Sequence, residues 1–172
     1  MIIDVIKNRR SIRKFKTTEV SREQVQTLLE AAMLAPSACN TRAWRFIVVT
    51  NRDVLNQLAE IHPYGKMLTA APVCIVVVGL PALQEGHEHD LPKGFLSQDC
   101  GATTQNILLQ AEAMGLGSCW CGVYPKAPLM KSISDILNIP PDEIPFNLIA
   151  IGEKDQHPEV RGKYEEEKVT WL

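Results

Sequence analysis

The chain reads as a single domain that mixes helices with four short strands. Three observations predict it. Four apolar runs of strand length, at residues 44–50, 73–80, 118–124 and 146–152, alternate with stretches whose apolar residues recur at helical spacing. No repeat, low-complexity segment or linker divides the 172 residues, a length that suits one domain, 1–172, with a sizeable core. The hydrophobic fraction of 45% is that of a globular protein.

The elements follow in order. Residues 2–9 place Ile2, Ile3, Val5 and Ile6 at helical spacing. Ser21 and Gln24 stand three apart, the spacing of a capping box, so a helix starts there. It carries Val25, Leu28, Leu29, Ala32 and Met33 on one face, and Pro36 should end it, because the residue before proline avoids the helical region. Trp44 to Thr50 is a strand. Residues 53–61 form a short helix with Val54, Leu55, Leu58 and Ile61 inward. Residues 73–80 are wholly apolar, which predicts a central strand. Pro81, Gly86, Pro92 and Gly94 then mark a long loop, and loops of that length are usually functional or mobile. Leu96 to Met114 is the longest helix, with Cys100, Thr103, Ile107, Ala111 and Met114 inward and Gly115 as its cap. Its small residues Gly101, Ala102, Thr103 and Thr104 allow a neighbouring or partner helix to approach closely. A third strand spans 118–124, a helix spans 128–137 until Pro140-Pro141 stops it, and a fourth strand spans 146–152. The charged tail ends in Val169-Thr170-Trp171-Leu172, an apolar end expected to dock.

Composition excludes several classes. The net charge of -2 and pI of about 6.1 argue against a nucleic-acid binder, whose domains commonly exceed a pI of about 9. No apolar run approaches the roughly 20 residues that cross a bilayer, and the N-terminus lacks the charged and apolar regions of a signal peptide. The five cysteines are odd in number, and Cys74, Cys119 and Cys121 lie in strand-like runs. They suit reduced thiols, and hence a cytoplasmic protein.

The stretch with the strongest chemical character is Asn8-Arg9-Arg10-Ser11-Ile12-Arg13-Lys14-Phe15. Four of its eight residues are cationic, in a chain that is otherwise slightly acidic. Guanidinium groups suit phosphate, being planar, always charged and able to donate two parallel hydrogen bonds. The competing reading is a solvated charged loop. Other chemistries are weaker. His87-Glu88-His89 with Cys100 lacks a paired motif at zinc spacing, so no metal is expected. Cys119-Trp120-Cys121 is Cys-x-Cys, whose side chains share one strand face, and reads as two core residues before it reads as a dithiol. No nucleophile motif is present, and Gly115-Leu116-Gly117 follows a helix, the wrong order for a dinucleotide fingerprint. What remains is the Arg loop, a Pro36-Ser37-Ala38-Cys39-Asn40 loop and the basic pair Arg161 and Lys163. Separated cations without an evident acid, base or nucleophile fit a phosphorylated cofactor that does the chemistry itself.

At this point the residues resemble a known family. Arg9-Arg10-Ser11-Ile12-Arg13-Lys14-Phe15 is similar to the Arg-Arg-Ser-x-Arg-x-Phe signature of FMN-dependent nitroreductases. Pro36-Ser37-Ala38-Cys39-Asn40 with Trp44 and Phe46, Gln98-Asp99-Cys100 with Gln105-Asn106, Gly115-Leu116-Gly117-Ser118, and Arg161-Gly162-Lys163 follow in the family's order. The resemblance implies an α+β fold, a mostly antiparallel central sheet flanked by helices, in an intertwined homodimer with FMN at the interface. It implies that Arg9, with Arg161 and Lys163, clamps the FMN phosphate, and that Arg10 and Ser11 belong to the same loop. It places Arg13 and Lys66 at the N1/O2 edge of the ring, and Cys121, Gly122 and Val123 along N5. Pro36, Ser37, Ala38 and Asn40 come from the other subunit. The implied activity is NAD(P)H oxidation, with NADH or NADPH as donor and ping-pong hydride transfer through flavin N5 to nitroaromatic or quinone-type small molecules. No residue acts as a dedicated catalytic acid or base. An FMN carrier without NAD(P)H turnover is the alternative. Two positions depart from the pattern. Arg42-Ala43 replaces the usual Gln-Pro, and Pro63 stands where many members place an Asn, so that ring contact should be missing.

Overall fold

Strand β2 (Val73–Gly79) is buried along its whole length, and the fold is built outward from it. Its alternating side chains feed two separate cores, so each face of the sheet needs a cover of helices. The structure, a computed structural model, describes residues 1–84, 94–160, 162 and 164–172. Its elements are α1 (Asp4–Asn8), α2 (Arg22–Met33), β1 (Trp44–Val49), α3 (Arg52–Ile61), β2, α4 (Leu96–Ala113), β3 (Leu116–Gly122), α5 (Ala127–Leu137) and β4 (Ile144–Glu153). The four strands form one sheet in the order β1-β2-β4-β3, every neighbouring pair antiparallel. The α+β expectation holds.

On one face, Cys74, Val76 and Val78 of β2 and Leu148 and Ala150 of β4 pack with Leu55 and Leu58 of α3 and Leu129 and Ile133 of α5. On the other, Val73, Ile75 and Val77 meet Val25, Leu28 and Ala32 of α2 and Cys100, Ile107 and Ala111 of α4. Leu28, Leu58 and Ile149 are fully buried, and truncating any such side chain to Ala costs about 2–5 kcal/mol. The two faces explain why β2 is apolar throughout although its neighbours are antiparallel.

Local signals set the helix ends. Ser21 Oγ accepts from the Gln24 N–H at 3.2 Å, and Gln24 Oε1 accepts from the Ser21 N–H at 2.9 Å, completing the box. Helix α2 stops at Met33, ahead of Pro36. Gly115 closes α4 at φ +75°, a conformation that favours glycine. The small face of α4 does admit a helix of the same chain. Thr103 Oγ1 donates to the Ala32 carbonyl at 2.7 Å, and Asn106 Nδ2 to that of Ala31 at 3.0 Å, at the end of α2.

Three expectations are corrected, for α1, Met33 and β3. Helix α1 is only Asp4–Asn8, and its Ile2, Ile3 and Ile6 side remains exposed. Met33 also stays exposed, because α2 presents Val25, Leu28 and Ala32 to the core and turns Met33 away. Strand β3 runs two residues earlier than predicted: after Gly122 the N–H groups of Val123 and Tyr124 both turn to the Phe146 carbonyl, at 3.1 and 3.0 Å, which ends the ladder. The apolar tail does not dock on its own chain, since Trp171 is 84% exposed. The loop predicted over 81–95 opens with a 3₁₀ turn, Pro81–Gln84, and its stretch 85–93 lies outside the described residues.

Candidate functional site

The Arg-rich octet is held by its two apolar members. Ile12 and Phe15 are buried, while Arg13 and Lys14 between them are exposed. The backbone runs along the free edge of β3, where the Ile12 N–H meets the Ser118 carbonyl at 2.9 Å. It then crosses to the end of β4, where the Lys16 N–H meets the Glu153 carbonyl at 3.0 Å. Both side chains enter notches that only glycine leaves open. A Cβ on Gly117 would stand 2.7 Å from Ile12 Cγ2, and one on Gly152 2.9 Å from Phe15 Cδ1. Burial of two apolar residues thus aims the cations between them outward.

Arg13 lines a groove of about 470 Å³ with Tyr64, Lys66, Met67, Thr69 and Ala70. Lys66 opens the 3₁₀ turn Lys66–Thr69, and that turn is tied down by Arg52 of α3. The Arg52 guanidinium donates to the carbonyls of Leu68, Thr69 and Ala71 at 3.0, 2.9 and 2.9 Å. Neither Arg13 nor Lys66 forms an ion pair among the described residues. Two uncompensated cations on one groove repel each other and attract an anion.

The wall of the same region is the end of β3. Cys119 and Cys121 share one face, both buried, and Cys121 Sγ lies 3.6 Å from Met67 Sδ. The strand-face expectation for the Cys-x-Cys pair holds. The neighbouring Cys121 thiol, with the Arg13 charge and the Ser11 hydroxyl, holds the Cys119 thiol below its ordinary value against the opposing effect of burial. The same neighbour, Cys119, together with burial, raises the Cys121 thiol. Gly122 is exposed, and a Cβ built there meets nothing within 4 Å, so the backbone borders open space. Val123 is buried.

Arg9 and Arg10 are half-buried at the C-terminal end of α1. Arg10 Nε donates to the Glu159 carbonyl at 3.2 Å and Nη1 to that of Arg9 at 2.5 Å. Its Nη2 is buried with no partner among the described residues. Such an orphaned charged donor is costly, and a phosphate oxygen would satisfy it. Arg161 and Lys163, expected to share this role, lie outside the described residues, as do His87, Glu88 and His89.

A second groove, of about 510 Å³, is lined by Pro36, Ser37, Ala38, Cys39, Phe95, Gln98, Asp99 and Ala102. It shares no lining residue with the first. The loop here is tightly wound: Cys39, Asn40 and Arg42 all have left-handed φ, at 51°, 53° and 49°. Ser37 Oγ accepts the Arg42 N–H at 2.9 Å, and Arg42 Nε donates to Asn40 Oδ1 at 3.3 Å. Arg42 therefore braces the loop from within, while Ala43 is fully buried. Asp99 holds the loop from α4. Its Oδ1 accepts the Ala38 N–H at 3.0 Å and its Oδ2 accepts from Gln84 Nε2 at 2.8 Å.

The expected residues therefore fall into two sets, one around Arg13 and Lys66 and one around Pro36 to Asn40. Three supporting residues have roles the sequence did not reveal: Arg52, Asp99, and His62, whose ring is buried between Tyr64 and Gly122. The carbonyl of Leu68, the N–H of Ala38 and the carbonyl of Gly122 that they hold lie 16, 61 and 60 residues away, distances that no local pattern spans.

Comparison with known proteins follows the same outline. The Nitroreductase family model matches residues 6–63 and 62–153. A protein of Methanothermobacter thermautotrophicus that carries the provisional name NADH dehydrogenase/NAD(P)H nitroreductase is 41% identical over 168 residues, covering 98% of this chain and 85% of its own. A crystal structure from Parabacteroides distasonis with the same provisional name superposes with a TM-score of 0.89 at 34% identity, over 98% of this chain and 95% of that one. The structure of an FMN-dependent nitroreductase from Clostridium difficile has a TM-score of 0.86 at 31% identity, over 99% of this chain and 98% of that one.

Proposed function

The chain belongs to the nitroreductase family, and from that premise we propose that it is an FMN-dependent oxidoreductase. It takes hydride from NADH or NADPH and passes reducing equivalents to a nitroaromatic or quinone-type acceptor. The observation that carries this reading is the pair Arg13 and Lys66, two cations on one groove with no counter-charge among the described residues. Bound FMN supplies the hydride chemistry at its N5, and its reduced form bears negative charge at N1 and O2. Cations fixed beside that edge stabilise the charge before it develops.

The chain's own residues divide the remaining work. The orphaned Nη2 of Arg10 fits a phosphate, beside Arg9 and Ser11, with Arg161 and Lys163 completing the clamp. Cys121, Gly122 and Val123 form the wall along N5, where the open space over Gly122 admits a flat ring. Pro36, Ser37, Ala38 and Asn40 belong to a groove of their own, so in this reading they are supplied by a second copy. A homodimer also accounts for the exposed Ile2, Ile3, Ile6 and Trp171, apolar groups that one protomer leaves in water. The cysteines form no disulfide among the described residues, which suits the cytoplasm. No helix among the described residues is long and apolar enough to cross a membrane.

The test is a visible absorption spectrum of the purified protein before and after anaerobic NADH and NADPH. Flavin bands that bleach are expected. Bands that persist with both donors would favour a carrier of FMN, and no bands even after added FMN would overturn the reading.

A further inference from the structure

His62 is 3% exposed and plays no part in the cation arrangement. Its Nδ1 accepts the Tyr64 N–H at 3.1 Å. The neutral ring therefore carries its proton on Nε2, and Nε2–H donates to the Gly122 carbonyl at 3.0 Å. Gly65 lies directly against it: a Cβ there would stand 2.7 Å from His62 Cβ. The imidazole joins two segments 60 residues apart. One leads into the turn that begins at Lys66, and the other is the exposed end of β3.

That end pairs with β4 through Asn147 and Phe146, and among the described residues the side chain bonded to the Gly122 carbonyl is His62. Gly122 has no side chain and open space above it, so its backbone could adopt several orientations. The N–H of the following peptide is taken by the Phe146 carbonyl at 3.1 Å. The peptide between Gly122 and Val123 is thus held at both ends, its carbonyl by His62 and its N–H by Phe146. Released from His62, the planar peptide could rotate only by giving up the Phe146 bond as well, and its carbonyl would then bring a negative dipole end towards the reacting atoms, the opposite of what a hydride acceptor needs.

We infer that His62 is a positioning residue. Through the Gly122 carbonyl it fixes the backbone wall along flavin N5, while the bond it accepts from the Tyr64 N–H orients the ring to donate there. The inference rests on the FMN reading of the groove, but the clamp itself can be measured without flavin.

Two substitutions separate its halves. His62→Asn keeps an acceptor near Nδ1 and removes the donor to Gly122. His62→Gln places an amide donor near Nε2 and gives up the acceptor. In the apoprotein, ¹⁵N-histidine NMR should show the Nε2-protonated tautomer, and a ring protonated at Nδ1 would overturn the clamp. Amide exchange at Val123 should rise about tenfold in His62→Asn and stay near wild type in His62→Gln. In the FMN-loaded protein, His62→Asn should shift the flavin midpoint potential and slow anaerobic reduction by NAD(P)H about tenfold, with His62→Gln largely rescued. Equal impairment of both variants in proportion to lost Tm, or wild-type exchange and potential in His62→Asn, would overturn the inference. Should the wild-type protein take up no flavin, the FMN reading falls by itself, and the apoprotein measurements still decide whether His62 holds Gly122.

Discussion

Ile12 occupies the space that a side chain on Gly117 would need, its Cγ2 2.7 Å from where that Cβ would sit. The contact seats the Arg-rich loop on the edge of β3 and sets where Arg13 emerges. Gly117→Ala should push Ile12 out of its notch and cost about 1–3 kcal/mol, as overpacking does. Thermal unfolding would measure the loss. The companion change Ile12→Ala in the same chain should recover part of it.

Asp99 secures the other groove by accepting from Ala38 and Gln84. Asp99→Ala leaves the Ala38 N–H without its partner, at a cost of about 1–3 kcal/mol. On the homodimer reading it should also weaken FMN binding, which flavin fluorescence recovery on dilution would report. Wild-type FMN affinity in this variant would show that the Pro36–Asn40 loop does not touch the cofactor.

Arg13 and Arg9 should be separable by their readouts. Arg13→Ala should lower the flavin potential by about 30 mV or more, the two-electron equivalent of about 1.4 kcal/mol, and slow reduction more than it weakens binding. Arg9→Ala should do the reverse, with FMN affinity falling about tenfold or more. Equal loss of FMN in both would collapse the division between phosphate and ring edge.

Burial, assisted by Lys126, holds the His62 imidazole below its ordinary value of 6.5. The native ring therefore stays neutral where the unfolded chain begins to take up a proton. The sign follows: this contribution to stability is present above about 6.5 and is lost as pH falls towards the native value, at up to about 1.36 kcal/mol per pH unit. Denaturant titrations between pH 7 and pH 5 should show that decline in wild type, and His62→Gln should remove it. Glu23 and Glu153, both held below 4.5, add losses of the same sign at more acidic pH.

Trp171 should matter only to the assembly. It is almost wholly exposed on a single chain, so Trp171→Ala costs a protomer nothing in packing. In a homodimer that covers it, the dissociation constant should rise about tenfold or more. Light scattering across a dilution series would detect this, and an unchanged profile would place the tail outside the interface.

What the sequence determined by itself was local or periodic. The Ser21–Gln24 box, the stop before Pro36, the apolar run of β2, the Gly115 cap and the cation-rich octet all act within a few residues, so their patterns survive in one dimension. Even there, the end of β3 was misplaced, because a carbonyl on β4 decided it. The tertiary structure alone decided which residues serve the site from a distance. Arg52 is an ordinary arginine near a helix start until three carbonyls of a later turn converge on it. His62 is a lone histidine until the end of β3 arrives with the Gly122 carbonyl. The exposure of Ile2, Ile3, Ile6 and Trp171 was equally hidden, since apolar character is written in the sequence but its cover is not. Hydrogen bonds and packing across tens of residues depend on how layers meet, and chain-neighbour chemistry carries no record of that.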